Sequence, residues 1–244
     1  ALRLAEADAS RYLEGWGRRL RKTGMSASTE VLEGEPAREI VTVLRAREDD
    51  LVVLTPHGRG GATEYRLGGT AQKIVAEGGA SLLLVRPAEV GEEEGAYRSI
   101  LVPVDGSPRG DWALCTAASI ARAVGARLVM AHVVAAPERV PGPAPESTGS
   151  LEDRLLERCR EAARRYLSER REQLSAPDLE VETRIVASGH VTSALHRLAS
   201  EIGADLMVVS AHGRSGAAPW PYGSVAGNLL TYAGTSAFDA ITVE

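Results

Sequence analysis

The spacing of glycine and serine near the C-terminus suits the binding of an anion. Gly213 is followed, after nine residues, by Gly223 and then by Ser224, which begins a predicted helix. Glycine permits positive φ angles and close approach of the backbone to a ligand, and the N–H groups at a helix start, together with the Ser224 hydroxyl, can hold an anion. The pattern predicts a phosphate cradle. Spacing alone leaves a second interpretation open, in which glycine turns the chain and Ser224 caps the helix.

Residue types exclude two familiar kinds of nucleotide site. The lysines of the chain are Lys22 and Lys73, and none follows. A P-loop requires G-x-x-x-x-G-K-[ST], whose lysine reaches the terminal phosphates, so the segment 213–224 does not belong to a Walker-type NTPase. The sequence also lacks a G-x-G-x-x-G followed about 20 residues later by an acidic residue, which excludes the dinucleotide-binding fingerprint.

Asp105 places a carboxylate where a ligand would lie. It follows the apolar run 99–104, which predicts a buried strand, and Ser107 and Pro108 predict the start of a helix. In a parallel sheet, ligands bind beyond the carboxyl ends of the strands, where the strand order reverses. Asp105 and the loop after Ser210 both follow strands, so we expect them to share a site. Alternatively, Asp105 caps the following turn through an Asx hydrogen bond.

The second half of the chain alternates between strands and helices. Short apolar runs predict strands, and apolar positions that recur three and four residues apart predict helices. The predicted strands are 99–104, 127–134, 179–186, 205–210 and 238–243, and the predicted helices are 108–124, 151–174, 191–202 and 224–232. Buried strands that alternate with helices predict an α/β fold, a doubly wound parallel sheet with helices on both faces.

The chain contains an internal repeat with an offset of 155 residues. Four pairs keep this offset without a gap, and they are Gly34 and Gly189, Asp50 and Asp205, Gly58 and Gly213, and Gly68 and Gly223. We therefore expect two copies of one fold, namely a partial first domain over 1–86, a linker over 87–97 and a complete second domain over 98–244.

The first copy is shorter than the second. Ala1 corresponds to Leu156, so the first two strands and the first helix of the repeat have no counterpart in the first half. The predicted helices of this half are 2–22, 36–46 and 70–77, and the predicted strands are 26–32, 50–54 and 82–85. We expect such a half to close a sheet only with the help of further segments or a partner chain.

Composition indicates an ordinary globular protein. Of the 244 residues, 25% are charged and 44% hydrophobic, and the formal net charge is −5. Because there is no net positive field, nucleic acid is not an expected partner. No apolar run approaches the roughly 20 residues of a membrane helix and no signal sequence is visible, so we expect a cytoplasmic protein with no membrane partner. Cys115 and Cys159 belong to no metal or redox motif and are expected in the core.

The two motifs together resemble those of the universal stress proteins. That family pairs a strand-ending Pro-x-Asp with a late G-x-x-G, nine residues and G-[ST], and here Pro103-Val104-Asp105 and the segment 210–224 match it. The resemblance covers nearly the whole chain as one complete and one partial tandem copy, and it implies the family's adenine nucleotide α-hydrolase-like fold. In ATP-binding members the first motif holds adenosine, and the glycine motif holds ribose and phosphates.

Carried over by position, the resemblance implies ten nucleotide-binding residues. They are Pro103, Asp105 and Val133 beside adenosine, and Val209, Ser210, His212, Gly213, Gly223, Ser224 and Val225 beside ribose and phosphates. Ser210 replaces the first glycine of the family motif and puts a Cβ where the family's backbone approaches the nucleotide. In the first half, Thr55 replaces that glycine and Gly69 stands in place of Ser224. We expect this half to hold no nucleotide unless other segments complete it.

Several single residues have competing interpretations. We expect His212 to contact a ligand or pack the loop rather than to catalyse, His132 to be a core or strand-end residue, and His190 and His196 to lie at the surface. Asp239 interrupts the apolar pattern of the last strand. It either blunts a sheet edge against further assembly or marks a slip in the repeat alignment.

The expected function is the binding of an adenine nucleotide, ATP, by the second half, with Mg²⁺ able to arrive with the nucleotide. The protein would act as a regulatory stress-response module with little or no hydrolysis. The alternative is a stress-response interaction protein of the same fold that binds no nucleotide and forms a homodimer or an intrachain pseudo-dimer through its last strands. More distantly, Asp105-Gly106-Ser107 loosely resembles the loop of adenine-α-hydrolase-type enzymes that activate a substrate with ATP.

Overall fold

Helices and strands alternate along the chain in the computed structural model, which describes residues 2–47, 51–56, 67–77, 80–85, 97–136, 151–213, 223–231 and 239–243. The helices are α1 (Leu2–Lys22), α2 (Pro36–Arg47), α3 (Gly69–Glu77), α4 (Pro108–Val124), α5 (Leu151–Leu174), α6 (Val191–Ile202) and α7 (Ser224–Thr231). The strands are β1 (Leu51–Leu54), β2 (Ser81–Leu84), β3 (Ser99–Pro103), β4 (Arg127–Ala135), β5 (Val181–Ser188), β6 (Leu206–Ser210) and β7 (Asp239–Val243). Most predicted elements are confirmed, with ends that shift by one or two residues.

One seven-stranded sheet runs through both halves of the chain. The strand order is β1-β2-β7-β6-β3-β4-β5. Neighbouring strands are parallel, apart from the antiparallel pair β2 and β7. The chain moves outward from β3 to β4 and β5, then returns to place β6 and β7 on the other side of β3. The strand order therefore reverses between β3 and β6, which is where a doubly wound sheet offers a ligand crevice.

Two hydrophobic layers cover the two faces of the sheet. One layer joins β3, β4 and β6 to α6 and α7 through residues such as Leu101, Met207 and Leu195. The other joins the same strands to α4 and α5 through residues such as Ile100 and Leu167. Since β3 is buried on both faces, it must be apolar throughout, which explains the continuous apolar run seen in the sequence.

The two halves are joined edge to edge by β2 and β7. Leu82, Leu83 and Leu84 pair with Thr242, Ile241 and Ala240. β7 also pairs with β6, beginning with Asp239 opposite Leu206. Because β7 has a neighbour on each side, the expectation that Asp239 blunts an open sheet edge is wrong. The last strands of the two repeats instead pair within one chain.

The predicted strand 26–32 is absent. This segment has no ladder partner, although it follows α1 as β5 follows α5. In the second half, β5 pairs along its length with β4, and no described strand of the first half takes the place of β4. A strand requires a hydrogen-bonded neighbour, so the apolar pattern alone does not produce one here. Among the described strands, β1 pairs with β2 alone, because no strand 26–32 forms beside it. Its side chains are correspondingly exposed, with Leu51 at 44% and Val53 at 57%.

The two cysteines are exposed, so the expectation that they lie in the core is wrong. Cys115 is on α4 and Cys159 on α5, the helices that form the outer layer on one face of the sheet. Cys115 lies next to the buried Leu114 on α4 but faces outward, whereas Cys159 lies on the exposed N-terminal part of α5, before its buried residues Ala163 and Leu167. The predicted linker over 87–97 falls almost entirely outside the described residues.

The burial pattern of α5 predicts different costs for two leucine substitutions on the same helix. Leu167 is 2% exposed, whereas Leu155 is 52% exposed. We expect Leu167→Ala to lower the free energy of unfolding by about 2 to 5 kcal/mol because it leaves a cavity. Leu155→Ala should change it by no more than about 0.5 kcal/mol. Urea denaturation measures both, and equal effects would contradict the proposed packing of α5.

Candidate nucleotide site

A cavity of about 460 Å³ lies at the reversal of the strand order. It is lined by Pro103, Val104, Asp105, Ala131, Val133, Val191, Leu195, Val209, Ser210, Ala211, Gly213, Gly223, Ser224, Val225 and Ala226. Nine of the ten residues proposed from the sequence are in this set. The tenth, His212, is half-buried in the same loop but is not part of the cavity lining. Strand ends that are far apart in the sequence are thus brought together, as the parallel sheet predicted.

Asp105 is held by the turn that follows β3. Its Oδ1 accepts a hydrogen bond from the Ser107 N–H at 3.0 Å, and Gly106 between them has a φ of 77°. Ser107 then caps α4, since its Oγ accepts a hydrogen bond from the Gly110 N–H at 3.0 Å. The Asx turn proposed as the alternative role of Asp105 is therefore present. It is compatible with a binding role, because the same carboxylate lies on the cavity wall.

The Asp105 carboxylate is packed between two glycines from different elements. A Cβ at Gly213 would lie 2.6 Å from Asp105 Oδ2, and a Cβ at Gly110 would lie 3.0 Å from Asp105 Oδ1. A real Cβ would have to displace the carboxylate at the first of these positions. Glycine at 213 is therefore required for the observed contact between the glycine loop and the end of β3.

The glycine loop is closed by hydrogen bonds on either side of the segment 214–222, which lies outside the described residues. The Gly223 N–H donates to the Ala211 carbonyl at 2.7 Å, and the Gly227 N–H donates to the Gly223 carbonyl at 2.9 Å. Gly223 thus connects the end of β6 to the first turn of α7, which Ser224 begins. This arrangement places the Ser224 residue and the N-terminus of an eight-residue helix at the cavity.

Ser210 uses its hydroxyl within the loop. Its Oγ donates to the His212 carbonyl at 2.9 Å. This bond fixes the turn that leaves β6, and it gives the residue a local role that the family's glycine cannot have. The sequence comparison identified the substitution, but the hydrogen bond that accompanies it depends on the fold.

The remaining wall of the cavity is apolar. Val133 comes from β4, while Val191 and Leu195 come from the first turns of α6. An apolar wall with a few convergent polar groups is typical of a small-molecule site. Val191 and Leu195 were missed by the sequence analysis, although their spacing of four residues on an amphipathic helix marks them as residues that face the sheet.

His132, His190 and His196 lie away from the cavity lining. His132 is half-buried on β4, and its ring meets the Tyr166 ring edge-on at 6.2 Å, in agreement with its predicted place at a strand. His190 is exposed, as expected. The prediction for His196 is wrong, since it is half-buried on α6 and burial lowers the pKa of its imidazole.

The family model described as the universal stress protein family matches residues 2–86 and 96–236. The chain belongs to the universal stress protein family. A universal stress protein from Mycobacterium tuberculosis strain H37Rv is 25% identical over 209 residues, which cover 84% of this chain and 66% of that protein. A universal stress protein from Mycobacterium bovis matches with the same figures. This chain thus spans just under two thirds of the length of these curated relatives.

Solved structures share the fold of this universal stress protein chain. A universal stress protein from Archaeoglobus fulgidus is 18% identical with a TM-score of 0.66, over 100% of this chain and 78% of that chain. A protein from Pseudomonas aeruginosa is also 18% identical, with a TM-score of 0.68, over 96% of this chain and 77% of that chain. Both matches extend across the two halves, which supports the tandem organisation inferred from the internal repeat.

The part of the chain that the structure describes contains neither a membrane-spanning helix nor a metal-binding cluster. No helix in these parts of the chain is long and apolar enough to cross a membrane. Among the same residues, no group of three or more His, Cys, Asp and Glu side chains is placed to hold a metal ion.

Burial of His196 predicts a pH dependence of stability. Because the folded-state pKa of His196 is lowered by burial, the unfolded chain binds the proton more readily. The contribution of His196 to the free energy of unfolding is present above the pKa of its imidazole in the unfolded chain, about 6.5, and is lost as the pH falls below that value. We compare about pH 7.5 with about pH 5.5, which lie on the order of one unit on either side of that pKa. Between these two values, the free energy of unfolding should fall more in the wild type than in His196→Gln. Urea denaturation at the two pH values measures this, and equal losses would contradict it.

Proposed function

We propose that the second half of the chain binds an adenine nucleotide, with ATP the first candidate, and acts as a regulatory stress-response module. The observation that carries this proposal is the convergence of Asp105, the glycine loop and the start of α7 around one cavity. These groups come from two separate parts of the sequence, one at Asp105 and one over 210–224. Their convergence at the reversal of the strand order is what a nucleotide site in a doubly wound sheet requires.

The end of the cavity near β3 and β4 suits adenosine. Val133 and Leu195 supply apolar contact for a flat base, and Asp105 supplies a carboxylate. An ionised carboxylate is an acceptor for the hydroxyl groups of a ribose or the amino group of a base. Membership of the universal stress protein family supports this assignment, because the resemblance in motif places adenosine at the strand-ending Pro-x-Asp.

The end of the cavity near α7 suits phosphate. The first N–H groups of α7 have no partner within the helix, and the helix start carries a partial positive charge that favours an anion. Ser224 adds a hydroxyl at the same point. Mg²⁺ would arrive bound to the nucleotide phosphates, since it is usually held by few protein ligands.

The proposal includes little or no hydrolysis. Phosphoryl transfer needs charge stabilisation around the transferred group and an oriented nucleophile. The sequence provides no lysine after Lys73 and no P-loop, and His212 is not part of the cavity lining. These residues therefore suit nucleotide binding that changes the conformation of the protein better than they suit hydrolysis of the nucleotide.

The first half is proposed to serve as a scaffold that binds no nucleotide. Gly69 begins α3 where Ser224 begins α7, so the hydroxyl at the helix start is missing. The contribution of this half is the antiparallel pair between β2 and β7. The same pair engages the last strands of both repeats, which weakens the alternative of a dimer formed through those strands.

Isothermal titration calorimetry tests whether the nucleotide binds and how many sites each chain has. We expect Mg·ATP added to nucleotide-stripped protein to bind once per chain with a Kd on the order of micromolar, which corresponds to about 8 kcal/mol of binding free energy. An absence of heat at several temperatures would overturn the proposed function. Two sites per chain would contradict the scaffold role of the first half.

Gly213→Ala tests the contact between the glycine loop and Asp105. The new Cβ would lie 2.6 Å from Asp105 Oδ2 and would displace the carboxylate. Hydrogen bonds to a charged group contribute about 1.5 to 3 kcal/mol, so we expect affinity for Mg·ATP to fall about 10- to 100-fold.

Gly15→Ala is the matched control, because a Cβ at Gly15 on α1 would meet nothing within 4 Å. Its affinity should equal that of the wild type. Circular dichroism shows whether each variant is folded. A folded Gly213→Ala protein with wild-type affinity would contradict a site built on Asp105.

A further inference from the structure

A polar cluster joins α5 to α4 on the face of the sheet opposite the cavity. Arg170 Nε donates to Asp111 Oδ1 at 2.9 Å, and Arg170 Nη2 donates to Asp111 Oδ2 at 2.7 Å. The Tyr166 hydroxyl donates to Asp111 Oδ1 at 2.6 Å. We call these three residues the α5 clamp. They belong to no part of the nucleotide site described above.

The α5 clamp is stronger than an ordinary surface ion pair. The Arg170 and Asp111 side chains are 26% and 30% exposed, compared with 58% and 49% for Arg164 and Glu157 on the outer face of α5. Two parallel hydrogen bonds from a guanidinium fix both distance and orientation. The Arg170 hydrogen bond also holds the pKa of Asp111 below its usual value, so the carboxylate stays ionised.

Three hydrogen bonds connect the α5 clamp to the cavity. The Asp111 N–H donates to the Ser107 carbonyl at 3.0 Å. Within the same turn, the Gly110 N–H donates to Ser107 Oγ, and the Ser107 N–H donates to Asp105 Oδ1, both at 3.0 Å. A shift of the first turn of α4 would therefore move the Asp105 carboxylate.

A second contact reaches the cavity wall through β4. The Tyr166 ring meets the His132 ring edge-on at 6.2 Å. His132 lies between Ala131 and Val133, which line the cavity from the other face of the strand. The α5 clamp thus contacts β4 through Tyr166 and the first turn of α4 through Asp111.

Charge provides a further connection. The Arg170 hydrogen bond lowers the pKa of Asp111, and the charge of Asp105 acts in the opposite direction. Arg170 compensates the charge of Asp111. Without it, the Asp111 carboxylate would lack this compensation on the turn that leads back to Asp105, and like charges repel.

We propose that Arg170 and Tyr166 are positioning residues of the nucleotide site, and that loss of their hydrogen bonds to Asp111 alters nucleotide affinity through Asp105. This proposal rests on the proposed function. Ala163 and Leu167 are the buried residues of α5, so polar contacts contribute to its position. The α5 clamp attaches this helix to the first turn of α4, which directly follows the turn that holds Asp105.

The first test is the affinity of Arg170→Ala for Mg·ATP, measured by calorimetry. We expect a loss of about five- to 20-fold, which is a typical size for coupling between separate sites. Arg170→Lys should give an intermediate loss, because lysine keeps the charge but not the paired hydrogen bonds. Arg164→Ala, on the exposed face of the same helix, is the matched control and should bind as the wild type does. Tyr166→Phe removes one hydroxyl and serves as the milder variant if Arg170→Ala does not fold.

A double-mutant comparison separates positioning from general destabilisation. In an Asp105→Asn background, Arg170→Ala should change affinity by less than about twofold, because its effect passes through the Asp105 carboxylate. The same loss in both backgrounds, or wild-type affinity in Arg170→Ala, would overturn the proposal.

Amide hydrogen exchange decides the question without a ligand. We expect the Ser107 and Gly110 amides to exchange faster in Arg170→Ala, whereas the Ala194 amide in the first turn of α6 should be unchanged. Unchanged exchange at Ser107 would overturn the positioning role. If the wild type bound no Mg·ATP, the proposed function would fail while these exchange rates still decided whether the α5 clamp holds the turn.

Discussion

The limited pairing between β3 and β6 is the constraint on which the site depends. Ile100 pairs with Leu206 and Leu101 pairs with Met207, at the beginning of both strands, whereas β3 pairs with β4 through five residues as far as Pro103. The carboxyl ends of β3 and β6 therefore lie beyond their shared ladder. The space between them is where Asp105 and the glycine loop meet. Since both strands are buried on two faces, β6 has no polar side chain before Ser210, and β3 has none between Ser99 at its start and Asp105 beyond its end.

Much of this could be predicted from the sequence because buried strands leave a simple signal. A strand covered by helices on both faces is a short run of apolar residues, and in a parallel sheet all such runs end at the same edge. Asp105 and Gly213 follow two of these runs, so their proximity could be expected. Val191 and Leu195 could not be assigned to the cavity in the same way, because their place depends on how α6 crosses the sheet.

The wrong predictions arose where a residue's environment depends on a distant neighbour. The segment 26–32 has the pattern of a strand, but a ladder needs a partner, and the pattern cannot reveal whether one is present. His196 was placed at the surface because histidine is polar, although its position next to Leu195 on α6 carries it into a half-buried environment. For Asp239, the first of the two interpretations, a blunted sheet edge, was wrong because the pairing of β2 with β7 is a long-range contact without a local signature.

The two halves of the chain share a glycine motif but differ in the strands that surround it. Both halves carry a strand followed by a glycine-containing loop and a helix, at an offset of 155 residues. In the second half, β6 has β3 beside it and the order of the strands reverses there. In the first half, β1 lies at the end of the described strand order with β2 as its neighbour, and the order does not reverse there. Among the described residues of the first half, the strand order does not reverse beside β1, so no crevice like that between β3 and β6 is seen there. The crevice, and not the loop alone, is what brings a carboxylate and a helix start to the same ligand.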